Sequence, residues 1–163
     1  MMQLGILSDI HDHIEGLRTA LQTLQATNAL ICCGDLCSPF IIKELGTRYP
    51  NPIHIVFGNN DGDLFRITQN SNAFSQIHLH GELAELEFEG CRIGVNHYDT
   101  IGRVLAESNR YDVVCFGHNH QFEVSQSGET LILNPGEILG GLTGQSTFLS
   151  FNPSDRSYQK HTL

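Results

Sequence analysis

Nine histidines in a chain with only nine lysines and arginines are the first chemical feature of the sequence, and four of them stand just behind apolar runs. Ser8-Asp9-Ile10-His11 follows LGIL, Cys33-Gly34-Asp35 follows ALIC, and Gly58-Asn59-Asn60-Asp61 follows IHIVF. Asn96-His97 follows CRIGV, and Gly117-His118-Asn119-His120 follows VVCF. Oxygen and imidazole donors without thiolate suit a hard or borderline divalent ion. Seven such side chains (Asp9, His11, Asp35, Asn59, His97, His118, His120) are too many for one ion. They suit two ions that share a carboxylate, about 3.5–4 Å apart, the arrangement that clamps the attacking and leaving oxygens of a displacement at phosphorus. If extended, Asp9 and His11 point the same way, as do His118 and His120. Any one of the seven, alone, reads as a cap or a loop residue. Their shared place behind all five runs makes a site.

The elements that must position them are short. The five runs have the length and β-branched content of buried strands. Between the first three, Ile14, Leu17, Leu21 and Leu24 step by three and four, as in a helix with one apolar face. Ser38-Pro39 suits a helix start and Gly46 its stop; residues 100–110 form a third helical segment. Strands alternating with helices give a βαβ pattern and a largely parallel sheet, whose ligand-binding edge is the carboxyl end of the strands. From about residue 77 the texture changes to hairpins: 78–95 turning at Glu89-Gly90, 122–133 turning at Ser127-Gly128, and 146–163 turning through Asn152–Asp155. Asn134-Pro135-Gly136 fits a structural turn with Gly136 at positive φ, and His54, His78, His80 and His161 read as ordinary strand residues. No repeat or linker divides the chain, so residues 1–163 are expected to form one domain.

Composition narrows the function. With 163 residues, 40% hydrophobic and 17% charged, the chain has the profile of a globular protein, long enough to fold without staples. A net charge of −9, from 18 acidic and 9 basic residues, argues against stable binding of duplex nucleic acid. No apolar run approaches the roughly 18–20 residues of a membrane span. The first residues lack the basic region of a signal peptide, so a cytoplasmic location is expected. Five cysteines, an odd number lying mostly in apolar runs, read as small buried hydrophobes in a reducing compartment. Cys33 and Cys37 lack the second cysteine pair of a structural zinc site.

In chain order, D-x-H (9–11), GD (34–35), GNND (58–61), His97 and GHNH (117–120) resemble the signature of the calcineurin-like metallophosphoesterases. GNNDG and NPGE-x-x-G-x-LTG (134–144) are similar to the compact archaeal and bacterial phosphodiesterases of that superfamily. The resemblance implies a four-layer α/β/β/α sandwich with two mixed sheets, and a metal site at the carboxyl ends of the strands. It implies that Asp9, His11 and His120 hold one ion, Asn59, His97 and His118 a second, and that Asp35 bridges them. A hydroxide between the ions would attack phosphorus in line. Mn²⁺ is the expected ion, with Fe²⁺, Ni²⁺ and Zn²⁺ compatible with the same donors.

The sequence departs from the commonest family form in three places. Asn60 stands where histidine is usual; it can hydrogen-bond a phosphate oxygen but cannot protonate a leaving group, which favours diesters with good leaving groups. Tyr98 and Asp99 follow His97, with Tyr98 a candidate to narrow the cavity mouth. Asp12 and His13 follow the first motif: Asp12 and Asp99 are candidate carboxylates to orient an imidazole, and His13 is a candidate phosphate contact or acid. The expected activity is therefore hydrolysis of a small phosphodiester by a metal-dependent phosphodiesterase. The rival is a non-catalytic scaffold of the same fold, like the retromer subunit. A homodimer is expected only because symmetric dimers are the commonest oligomers.

Overall fold

The structure, a computed structural model, describes residues 2–163. Two mixed sheets pack face to face. The first has the order β11-β10-β1-β2-β3-β4 and the second β5-β6-β7-β9-β8. In the first, β1 (Leu4–Leu7), β2 (Ala29–Cys32), β3 (Ile53–Ile55) and β4 (Ile77–Leu79) run parallel, and β10 (Thr147–Phe151) and β11 (Tyr158–Thr162) close it antiparallel. In the second, β6 (Cys91–Asn96), β7 (Val113–Cys115) and β9 (Thr130–Pro135) are parallel, with β5 (Leu83–Phe88) and β8 (Phe122–Ser127) as antiparallel edges.

Alternation along the strands explains the layers. Leu4, Ile6 and Ile31 point between the sheets onto Ile93, Val95, Val113 and Leu133. Leu7, Leu30, Cys32 and Ile55 point outward, where α1 (Ile14–Thr23), α2 (Pro39–Arg48) and α3 (Leu64–Ser71) cover them with Leu17, Leu21, Ile41, Ile42, Leu45 and Ile67. On the far side α4 (Asp99–Glu107) lays Ala106 and Gly102 over Val114 and Phe116. Strands buried on both faces read as unbroken apolar runs, and the result is the expected α/β/β/α order. Among the described residues no helix is long and apolar enough to cross a membrane, and all five cysteines are free thiols.

Several local expectations need correction. Gly46 does not stop α2; the helix runs on to Arg48, and a Cβ on Gly46 would overlap the Phe74 ring. That glycine serves a close helix-to-loop approach. The segment 78–80 is not part of the β5–β6 hairpin: β4 joins the first sheet beside β3, and the chain crosses to the second sheet at Gly81-Glu82. The β8–β9 turn is centred one residue later, on Gly128-Glu129, with Ser127 paired to Thr130 and Gly128 at positive φ. α3 was not legible in the sequence at all.

The histidines of β3 and β4 prove to be a group. His54 pairs in register with His78, their rings stack at 5.1 Å, and His54 Nδ1 lies 3.0 Å from His80 Nε2. His54 also meets the Phe88 ring edge-on at 5.8 Å, at the side of the sandwich where β4 is the last strand of its sheet. Burial first, then the neighbouring imidazoles, push the His54 pKa down to about 4, and burial lowers His80 as well. A histidine depressed in the folded state stabilises the fold fully above its unfolded value near 6.5, and loses that contribution as pH falls toward 4. We therefore expect the drop in melting temperature between pH 7 and pH 5 to be smaller in His54→Phe than in the wild type, read by thermal unfolding at both pH values.

Candidate metal centre

Five loops converge at the carboxyl ends of β1, β2, β3, β6 and β7, and backbone hydrogen bonds lock them together. Asp9 N–H donates to Gly34 O and His11 N–H to Asp35 O, both at 3.1 Å, which ties the loop after β1 to the loop after β2. Gly117 N–H donates to His97 O at 2.9 Å, and Leu139 N–H donates to Asp9 O at 3.0 Å. The approach is close enough to exclude side chains: a Cβ on Gly58 would overlap the Asp35 carboxylate, and one on Gly117 would overlap Ser8 Oγ and Asp9 Oδ2.

The side chains are aimed by an unusual backbone. Asp9, His11, Asp35, His118 and His120 all take left-handed conformations, with φ between 44° and 69°. Asp and His are among the non-glycine residues that tolerate this region, and such outliers cluster at functional sites. This corrects the expectation that i and i+2 residues share a direction because they are extended. His118 and His120 in fact part company: the His118 ring sits 5.1 Å from the His97 ring, and the His120 ring stacks at 5.1 Å on His11.

Two donor groups result. In one, His120 Nε2 lies 3.4 Å and His11 Nε2 3.7 Å from Asp9 Oδ1. In the other, His97 Nε2 lies 3.1 Å from Asn59 Oδ1, and His118 Nδ1 lies 3.3 Å from His97 Nε2. Asp35 stands between them, its Oδ2 at 3.4 Å from His11 Nε2 and its Oδ1 at 3.4 Å from His97 Nε2. All seven residues singled out by type are thus brought together. Asp9 Oδ1 and His11 Nε2 are buried with no hydrogen-bond partner. Buried polar atoms are otherwise almost always paired, so these two fit a cation shared between them. Oxygen and imidazole donors converging at these separations suit a divalent ion on chemical grounds as well.

Electrostatics agree. Burial pushes the Asp35 carboxyl up, but hydrogen bonds from His97 and Asn60 outweigh it and hold the group well below the usual carboxylate range. His11 is raised first by Asp9 and further by Asp35, against burial; His97, though burial lowers it, is raised on balance by Asp35. The cluster attracts positive charge. The Cys37 thiol, 3.4 Å from His11 Nδ1, is pushed up to about 12 by burial and the surrounding carboxylates.

Three residues outside the expected set hold the donors in place. The fully buried Glu137 carboxylate accepts from His120 Nδ1 at 2.7 Å through Oε2, while its Oε1 accepts from Leu142 N, Thr143 N and Thr143 Oγ1. A carboxylate on the far ring nitrogen fixes the tautomer that turns the Nε2 lone pair toward Asp9. The Cys33 carbonyl does the same for His97, at 2.7 Å from Nδ1. The Asp61 carboxylate accepts backbone N–H groups of Asp35, Leu36, Cys37 and Gly58, and so sets the angle between the loops after β2 and β3.

The departing positions are placed as follows. Asn60 donates from both its backbone N–H and its side-chain amide to Asp35, each at 2.8 Å. His13, at the start of α1, places Nδ1 3.0 Å from the Ile138 carbonyl and ties the helix to the loop carrying Glu137. Asp12 does not orient an imidazole: its carboxylate accepts from Ser38 Oγ. Asp99 lies in the first turn of α4. Tyr98 lies against both His97 and His118, at 5.3 and 5.0 Å between rings. Asn134 is more than a turn residue, since its buried amide donates to Asn119 Oδ1 and the Gly117 carbonyl and braces the GHNH loop.

A two-sheet sandwich that gathers aspartates, histidines and asparagine at its strand ends defines a metal-dependent hydrolase of the α/β class. The pattern described as the calcineurin-like phosphoesterase superfamily domain matches residues 2–156, and the chain belongs to that superfamily. It is 30% identical to Phosphodiesterase MJ0936 of Methanocaldococcus jannaschii, over 99% of each chain. A solved structure described as a novel archaeal phosphodiesterase superposes with a TM-score of 0.92 at 28% identity, covering 99% of this chain and 100% of the other. Vacuolar Protein Sorting 29 from Cryptosporidium parvum superposes at 0.72 with 18% identity, over 99% of this chain and 96% of that one. At that identity the likeness extends to the fold alone.

Proposed function

We propose that the chain, as one domain over residues 1–163, is a metal-dependent phosphodiesterase with two divalent ions. The ions are held by Asp9, His11 and His120 on one side, Asn59, His97 and His118 on the other, and Asp35 between. The observation that carries this reading is Asp35, whose two oxygens face two separate donor groups, one of which contains the two buried atoms without partners. When bound, the pair supplies a nucleophile at neutral pH and positive charge for the developing phosphorane. Around it the chain's own residues position and hold. Glu137 and the Cys33 carbonyl keep the His120 and His97 lone pairs inward. Asn60, whose amide donates to Asp35, would be the group to offer that amide to a phosphate oxygen. As an amide, Asn60 cannot protonate a leaving group, which suits diesters whose leaving groups depart without an acid. His13, committed to Ile138 through one nitrogen, serves the scaffold of the site.

Mn²⁺ is the ion we expect to support turnover, with Fe²⁺, Ni²⁺ and Zn²⁺ as alternatives, and we place the protein in the cytoplasm as a homodimer without duplex nucleic-acid binding. Vacuolar Protein Sorting 29 shares the fold, and a scaffold role is the rival reading; an intact set of seven donors favours the enzyme. The test is hydrolysis of bis-p-nitrophenyl phosphate by chelator-stripped protein resupplied with Mn²⁺, with p-nitrophenyl phosphate alongside. Activity should return with the ion, favour the diester and vanish in His120→Ala. Absence of turnover with all four ions would favour the scaffold.

A further inference from the structure

A cavity of about 330 Å³ opens directly beside His120, lined also by Gln121, Phe122, Thr143, Gln145 and Lys160. Its volume suits a small-molecule group, and its chemistry differs from the rest of the surface. All seven arginines of the chain are paired with carboxylates: Arg18, Arg48, Arg66, Arg92, Arg103, Arg110 and Arg156. Lys160 has no carboxylate partner among the described residues, and the other lysine, Lys43, lies on α2 outside this cavity. The Lys160 ammonium is held 4.3 Å above the Phe122 ring, so the edge strand β11 of one sheet reaches the edge strand β8 of the other at the rim of the site. Such a contact pre-positions the charge while leaving its N–H donors free. The side-chain amides of Gln121 and Gln145 likewise have no partner among the described residues.

One free ammonium and two free carboxamides beside a metal-site histidine match an anionic oxygen group. The setting strengthens the argument. A chain of net charge −9 repels a doubly or triply charged ligand in general, so a second anion near the site needs a local cation left unneutralised. Resting on the phosphodiesterase reading, we propose that this cavity is an anion subsite that takes a second, non-reacting phosphate carried on one ester arm of the substrate. Lys160 is its charge partner and Gln121 and Gln145 its hydrogen-bond donors. The substrate class is then a phosphodiester bearing an additional phosphate, such as a nucleotide diester with a terminal phosphate.

The test is calorimetric binding of thymidine 3′,5′-bisphosphate and thymidine 5′-monophosphate to the Mn²⁺-loaded protein, in the wild type, Lys160→Met and Lys160→Arg. Wild type should bind the bisphosphate about tenfold to a hundredfold more tightly, the worth of a hydrogen-bonded charge pair. Lys160→Met keeps the stem over Phe122 but should bring that ratio near one, and Lys160→Arg should retain most of it. Hydrolysis of bis-p-nitrophenyl phosphate, which has no second phosphate, should be unchanged in both variants. A wild-type ratio near one, or a ratio untouched by Lys160→Met, overturns the subsite. Failure to hydrolyse bis-p-nitrophenyl phosphate with the ratio intact would instead overturn the phosphodiesterase reading and leave the subsite standing.

Discussion

Asp35→Ala is expected to lower kcat/KM for bis-p-nitrophenyl phosphate by about a thousandfold, the upper scale for losing one principal electrostatic element of a site. The physical reason is its position. Asp9 stands within ligand reach of both groups, but only Asp35 turns one oxygen to each, Oδ2 at 3.4 Å from His11 and Oδ1 at 3.4 Å from His97. Without the carboxylate, two cations at close range would lose the negative group that faces both of them, so the variant should hold fewer ions. Thermal unfolding gives a second readout. A ligand at a hundredfold excess over its Kd stabilises the folded state by about 2.7 kcal/mol, so Mn²⁺ should raise the melting temperature of the wild type clearly. The rise in Asp35→Ala should be much smaller. An unchanged metal-induced rise would show that Asp35 is not a shared ligand.

Glu137 is the second large effect. Glu137→Ala should weaken Mn²⁺ binding by about 10–100-fold, the usual cost of losing the group that orients a ligating histidine. It should also loosen the 139–146 loop, because the N–H groups of Leu142 and Thr143 lose their acceptor. Glu137→Gln separates the two roles. The native carboxylate uses both oxygens as acceptors, one toward His120 Nδ1 and one toward the loop. Glutamine has a single acceptor oxygen, and its NH₂ can only donate. If it keeps the loop, the NH₂ faces His120, favours the wrong tautomer and puts a proton on Nε2. Calorimetric Mn²⁺ affinity should therefore fall in Glu137→Gln nearly as far as in Glu137→Ala, while the melting temperature of the metal-free protein falls less. Equal Mn²⁺ affinity in wild type and Glu137→Gln would contradict the positioning role.

What was legible in the sequence follows from what each residue depends on. The seven donors could be read because each stands just behind a buried strand, and strands with two covered faces announce themselves as apolar runs. The helices α1 and α2 were visible through their three-and-four spacing. α3 was not: Leu64 and Phe65 are its exposed apolar residues, only Ile67 and Ser71 are buried, and so the pattern points the wrong way. β4 was merged into the following hairpin because HLH and LAELEF share a texture, and only pairing with β3 separates them. The roles of Glu137 and Asp61, though both stand in quoted motifs, were hidden for a different reason. Their partners lie 17 residues away in one case and up to 26 in the other, and no local pattern encodes a carboxylate that serves a distant loop. The NPGE motif carried a signal all the same: a glutamate between a buried strand and the LTG turn has no obvious solvent role. Nor could sequence foretell that Asp9, His11, His118 and His120 would be left-handed, since that conformation is imposed by the hydrogen bonds between loops. Asp12 and Asp99 were sought as orienting carboxylates because they sit next to ligands in the chain, whereas His120 finds its carboxylate across the fold.

The central claim is that two ions act together across Asp35. It is tested most directly by titrating chelator-stripped protein with Mn²⁺ while following bound metal and bis-p-nitrophenyl phosphate hydrolysis in the same samples. Turnover should rise steeply only as the second equivalent binds and then level off. Full turnover at one equivalent, or none after two are bound, would contradict it.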